Sequence, residues 1–206
     1  MEAPSVIAAN PRPGTAVRAT AARPRLAGDA GVWVFISADV FAFALFFMLF
    51  TWGRVHNTAL YEQSRQALDA GIGLANTLIL LTSSLFMVWA VEAAREGSRV
   101  RTVQYLALAM AVGSGFAVTK VIEYTGKIQA GITMLSNEFF MYYFVFTGIH
   151  FLHFLVGLGV LAVCLYKART EALDARYRVW IESSGCYWHM VDLLWIVLFP
   201  LLYLQR

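Results

Sequence analysis

Five runs of predominantly apolar residues, at about 30–53, 72–92, 102–124, 139–166 and 179–204, constrain this chain more than any other feature. Crossing the hydrocarbon core of a bilayer as a helix takes about 20 apolar residues, and all five runs are long enough. In lipid the backbone must satisfy its own N–H and C=O groups, which a helix does and a lone strand does not. The second run has no Asp, Glu, Lys or Arg from Ile72 to Val91, and the fourth has none from Phe139 to Tyr166. The expected fold class is therefore all-α, an integral membrane bundle of five transmembrane helices over residues 29–206.

Composition agrees: of 206 residues, 59% are hydrophobic and 14% charged, against about 25% charged in a soluble domain. No room remains for a separate soluble catalytic domain. Residues 1–28, with Pro4, Pro11, Pro13 and Pro24, show no apolar periodicity and read as a disordered cytoplasmic tail rather than a signal peptide. Asp29 stands where the first helix needs an N-cap. Cys164 and Cys186 fall in apolar segments and form no CxxC, so neither a disulfide framework nor a redox pair is read from them. The net charge of +3 is small and its basic residues are scattered, which argues against nucleic acid as a partner.

Those basic residues follow topology instead. The tail, the second loop and the fourth loop together hold eleven Lys and Arg, against four on the opposite side. The positive-inside rule then places the N-terminus in the cytoplasm and the C-terminus outside.

Ionisable side chains inside these runs are costly, about 2.5–3.5 kcal/mol each at the centre of a helix, and so are informative. Asp39 lies within the first run with no charged partner on its own helix, so it is either protonated or bonded to another helix. It is the candidate for a proton-related role. Lys120 and Glu123, three apart, are expected to pair on one face at the membrane boundary, with Lys120 snorkelling outward. His150 and His153 are also three apart and can ligate a metal or bond neighbouring helices. Glu182 and His189 project from nearly the same side, and Asp192 is one turn further on, so this set demands partners. Asn76, Thr82, Ser83 and Ser84 read as interhelical hydrogen-bonding residues. Gly157, Gly159 and Ala162 fit a dinucleotide-binding pattern by letter but lie in an apolar helix with no preceding strand. They read as a small-residue packing face, as do Gly148 and the stretch from Ala111 to Gly115. Trp188, Trp195 and Tyr203 read as packing or interfacial anchors.

The chain has four histidines: His56, in the first external loop, and His150, His153 and His189 within membrane helices. A bis-His haem needs imidazoles converging from opposite sides of the ring, and a haem plus a three-His copper site exceeds the supply. The chain is therefore not the catalytic core of a haem enzyme. An intramembrane zinc hydrolase using His150, His153, His189 and a carboxylate remains arithmetically open. A proton-coupled carrier using Asp39 and Glu123 is weakened by the lack of any repeat or broken-helix pair.

Several stretches resemble a known family. "FFMYYFVFTGIHFLHFLVG" (139–157) resembles the TG-x-H-x-x-H helix of cytochrome c oxidase subunit III, and "ESSGCYWHMVDLLWIVLFPLLY" (182–203) its E-x-x-x-x-YWH-x-VD-x-x-W helix. "GLANTLILLTSS" (73–84), the pair Glu123-Tyr124 and "WVFISADVFAFALFF" (33–47) are similar to further helices of that family, the last carrying its intramembrane carboxylate. Typical oxidase subunits have Glu where this chain has Asp39, and two further N-terminal helices. Asp39, the five helices and "KVIEYTGKIQAGITMLSNEFF" (120–140) look more like the NorE-type branch associated with nitric oxide reductases.

The resemblance implies a cofactor-free accessory subunit of a haem-copper superfamily oxidoreductase in respiratory electron transport. Haem and metal would be held only by a partner catalytic membrane subunit. Such a subunit packs against that partner, holds membrane lipid and supports assembly, stability or proton delivery. The alternative within the family is a cytochrome c or quinol oxidase subunit III proper. On this view Lys120, Glu123, His150, His153, Glu182, His189 and Asp192 form a structural polar network, with His150 and His153 as candidate partners for the three on the last helix. No residue of the chain would be catalytic or bind metal. The implied location is the bacterial inner membrane, as a multi-pass protein.

Overall fold

Asp29 opens the first helix as an N-cap, its Oδ1 accepting from Gly31 N at 2.8 Å. In the computed structural model, which describes residues 27–204, six α-helices follow. They are α1 (Ala30–His56), α2 (Thr58–Arg65), α3 (Ala70–Arg95), α4 (Arg99–Gln129), α5 (Glu138–Thr170) and α6 (Ala175–Phe199). Past Phe199 the chain continues as a wider π-type turn over Pro200–Leu204, where Pro200 supplies no backbone N–H to a regular helix. All but α2 are long and apolar enough to cross a membrane, so the described chain is the expected all-α bundle of five spans. The expected tail falls almost wholly on residues 1–26, outside the described residues.

The helices outrun the apolar segments because polar turns extend them at both ends: α4 begins at Arg99 and continues to Gln129. His56, expected in the first external loop, is the last residue of α1, its Nδ1 2.9 Å from Trp52 O. Helix α2 has no counterpart in the sequence reading. It is short and polar, and it is held by Tyr61, which packs on Phe50 and Phe139 with ring centroids 5.2 and 5.6 Å away. Gly53 makes the approach possible, since a Cβ there would meet Tyr61 Oη at 2.5 Å and Glu138 Oε1 at 2.8 Å.

Helix α6 is the centre of the bundle. Of its most apolar stretch 61% is buried, against 6% for α1, which lies at the edge with Val34, Phe41, Met48, Trp52 and Val55 facing outward. Small residues let α6 approach its neighbours. A Cβ at Gly73 would meet Phe199 Cε2 at 2.5 Å, one at Gly113 would meet Trp188 at 3.0 Å, and one at Gly157 would also meet Trp188 at 3.0 Å. Gly157 and Gly113 thus pack as expected, whereas Gly159 faces open space. Trp188, Trp195 and Tyr203 are all buried, which makes them packing residues and not interfacial anchors.

Candidate functional site

The polar residues of the spans resolve into three centres. The first lies at the end where α1 and α6 begin and α3 finishes. Arg95 Nε donates to Glu182 Oε1 at 2.8 Å, and Gly28 N to Glu182 Oε2 at 3.3 Å. Gly28 sits at φ 76, where a Cβ would meet Ser183 at 2.8 Å, and Asp29 N donates to Ser183 Oγ at 2.9 Å. At the same end Arg99 donates to the carbonyls of Arg169 and Glu171, closing the last turn of α5. The Lys- and Arg-rich loops therefore share one end of the bundle. Between α3 and α6 a groove of about 410 Å³ runs inward from Arg95, Glu92 and Glu182 to Cys186 and His189.

Deeper along the same contact, His189 Nδ1 lies 2.5 Å from Ser84 Oγ. Ser83 Oγ donates to Ala109 O at 2.7 Å and accepts from Trp188 Nε1 at 3.2 Å, while Trp195 Nε1 donates to Thr77 Oγ1 at 3.1 Å. Thr119 bonds Asn76, joining α4 to α3. Asn76, Ser83 and Ser84 thus do bond across helices, but Thr82 bonds back to Leu78 O of its own helix.

The second centre joins α1 to α5. Asp39 Oδ1 lies 3.2 Å from His153 Nε2, so Asp39 is bonded to another helix. His153 Nδ1 is 2.8 Å from Ile149 O, and a carbonyl only accepts, so Nδ1 carries a hydrogen there. That leaves Nε2 as the ring atom turned toward the Asp39 carboxyl. Asp39 and His153 side chains are 14% and 18% exposed at the edge of the bundle. The pair is therefore partly accessible from outside the chain.

The third centre is buried near the far end of α4. Lys120 Nζ donates to Glu123 Oε2 at 2.8 Å and to Tyr203 Oη at 3.1 Å, and Tyr203 Oη donates to Glu123 Oε1 at 2.7 Å. The ammonium lies 4.7 Å from the Trp195 ring centroid and 5.5 Å from that of Tyr143. The expected pair forms, but the expected snorkelling does not: Lys120 is 1% exposed. The aromatic cage and the Tyr203 hydroxyl substitute for water. Arg65 on α2 closes this end, donating to Tyr203 O at 3.2 Å and to Glu62 Oε1 at 2.7 Å. Nearby, burial and the Glu138 carboxylate push the Tyr61 hydroxyl well above the ordinary tyrosine pKa.

One expected pairing is overturned. His150 and His153 do not partner Glu182, His189 or Asp192. His150 Nε2 bonds Val191 O at 3.0 Å and His153 faces Asp39, while Glu182 and His189 bond α3. The reason is register: α6 turns that polar face to α3 and its backbone at Val191 to α5. The zinc reading needed His150, His153 and His189 to converge, and they point to three different neighbours. Among the described residues no three His, Cys, Asp or Glu gather as a metal site. Cys164 and Cys186 are both free thiols. Not foreseen from the sequence are Arg95 as the partner of Glu182, Ser84 as that of His189, and Tyr203 as that of Lys120 and Glu123. Arg95 had a signal as a basic residue at the end of one span, on the same side as Glu182 near the start of another, and Ser84 as an interhelical hydrogen-bonding residue whose partner was open.

A family model described as cytochrome c oxidase subunit III matches residues 25–205. Among curated relatives, cytochrome c oxidase subunit 3 of Pelomedusa subrufa is 30% identical over 181 residues, covering 84% of this chain and 67% of the relative. That of Aedes aegypti is 30% identical over 183 residues with the same coverage, and that of Oncorhynchus mykiss is 32% identical over 181 residues.

Proposed function

The chain belongs to the cytochrome c oxidase subunit III family, and on that premise we propose that it is an accessory subunit of a haem-copper oxidoreductase, serving a nitric oxide reductase. The observation that carries the accessory role is where its intramembrane polar groups go. Glu182, His189 and His150 bond neighbouring helices of the same chain, and Lys120 and Glu123 bond each other and Tyr203 in the turn after α6. Their chemistry goes into holding a bundle together, and haem and metal belong to a catalytic membrane partner. The Asp39–His153 pair, partly exposed at the edge of the bundle, is the one that would assist proton delivery to that partner. Lipid covers the outward apolar face of α1 wherever the partner does not. The protein sits in the bacterial inner membrane with its Lys- and Arg-rich end in the cytoplasm.

Three features of the sequence favour the nitric oxide reductase branch over an oxidase subunit proper: aspartate in place of glutamate at position 39, the five helices, and the stretch 120–140. The test is turnover in native membranes with and without the chain. Loss of the subunit should lower nitric oxide reduction and leave oxygen reduction unchanged. A selective fall in oxygen reduction would assign it to an oxidase instead, and no change in either would remove the accessory role.

A further inference from the structure

Asp192 takes no part in the bonds that dock α6. It is 3% exposed, and neither of its carboxyl oxygens has a hydrogen-bond partner among the described residues. A buried carboxylate without donors is among the most costly arrangements a fold can hold. Asp192 lies one helical turn from His189 on α6, beside Ser84, and Ser84 Oγ is the atom 2.5 Å from His189 Nδ1. His189 in turn lines the groove between α3 and α6. From the groove inward the order is imidazole, hydroxyl, carboxyl. Docking alone requires the Ser84–His189 bond but gives no reason for an acid behind it.

We propose that Asp192 is an exchangeable proton site, filled and emptied from the groove through His189 and Ser84. In the emptying direction the Asp192 O–H bond breaks and its proton forms a new bond to Ser84 Oγ. The original Ser84 hydroxyl proton passes at the same time to His189 Nδ1. Asp192 is left as a carboxylate, Ser84 stays neutral, and His189 becomes an imidazolium. His189 then gives its Nε2 proton to water in the groove and returns to the neutral ring. Filling is the reverse sequence. Ser84 must turn slightly toward Asp192 for the transfer, since the two face each other outside bonding geometry. The other ionisable groups lining the groove are Glu92 and Arg95 from α3 at the mouth and Glu182 and Cys186 from α6. The Arg95–Glu182 pair, 2.8 Å apart, joins α3 to α6 at that mouth. This site is separate from the Asp39–His153 pair and does not depend on which catalytic subunit the chain serves.

Infrared spectroscopy of the purified full chain in lipid tests this directly. The carbonyl stretch of a protonated carboxyl should be present in the parent protein and missing from Asp192→Asn. On transfer to D₂O the band should shift as its proton exchanges. Ser84→Ala and His189→Gln should keep the band and slow that shift by about 10²-fold or more, the contribution typical of a positioned proton-transfer group. An unchanged spectrum in Asp192→Asn, or equally fast exchange in both relay variants, would overturn the proposal. If Asp192→Asn does not accumulate, Ser84→Ala alone still decides it through the exchange rate, because it removes a single hydroxyl and leaves Asp192 in place.

Discussion

Lys120 shows what a single residue requires at this depth. Its charge is matched by Glu123, its second donor contact by Tyr203, and its remaining faces by aromatic rings. Removing one partner strands the other, so Glu123→Gln should destabilise the bundle by about 3–5 kcal/mol. Replacing both, as Lys120→Met with Glu123→Leu, should cost clearly less than the sum of the single changes. Thermal melting in detergent reads both effects, and additive losses would mean that the pair is not coupled. Asp39 behaves differently because its partner contact lies at the edge. Asp39→Asn keeps a polar side chain but removes the ionisable carboxyl, so turnover of the catalytic partner should fall while the complex still assembles. Loss of assembly instead would make Asp39 a structural residue.

Among the helices, α6 is held by close approach as much as by polar bonds. Gly73→Ala should therefore destabilise the bundle, since its Cβ would lie 2.5 Å from the Phe199 ring, whereas Gly159→Ala meets nothing within 4 Å. The exposed control should be neutral or stabilising by about 0.5–1 kcal/mol from helix propensity alone. Equal melting of the two variants would contradict this packing. The same contrast explains what could be read beforehand. Five spans were legible because lipid demands long apolar runs, and the Lys120–Glu123 pair was legible because spacing within one helix is local. Helix α2 was not, because its sequence is polar and its hold comes from Tyr61 reaching Gly53 and Phe139. Nor was the partner of any α6 residue. Which neighbour meets Glu182 or His189 depends on the register between helices, and that is set by contacts such as Gly73 against Phe199 and Ser83 against Trp188.

For the whole molecule, the clustering of Arg95, Arg99, Lys167 and Arg169 at one end makes sidedness testable. With Cys164 and Cys186 replaced, a single cysteine at Arg176 should react only with a thiol reagent on the cytoplasmic side, and one at Leu135 only from outside. The reverse pattern would invert the topology. The central claim is that this bundle serves a haem-bearing partner, and co-purification from native membrane in gentle detergent, with an optical haem spectrum, tests it most directly. Haem absorbance should travel with the chain, on a larger histidine-rich membrane protein identified by its peptides. A haem-free chain, recovered alone under conditions that keep other respiratory complexes whole, would contradict the account.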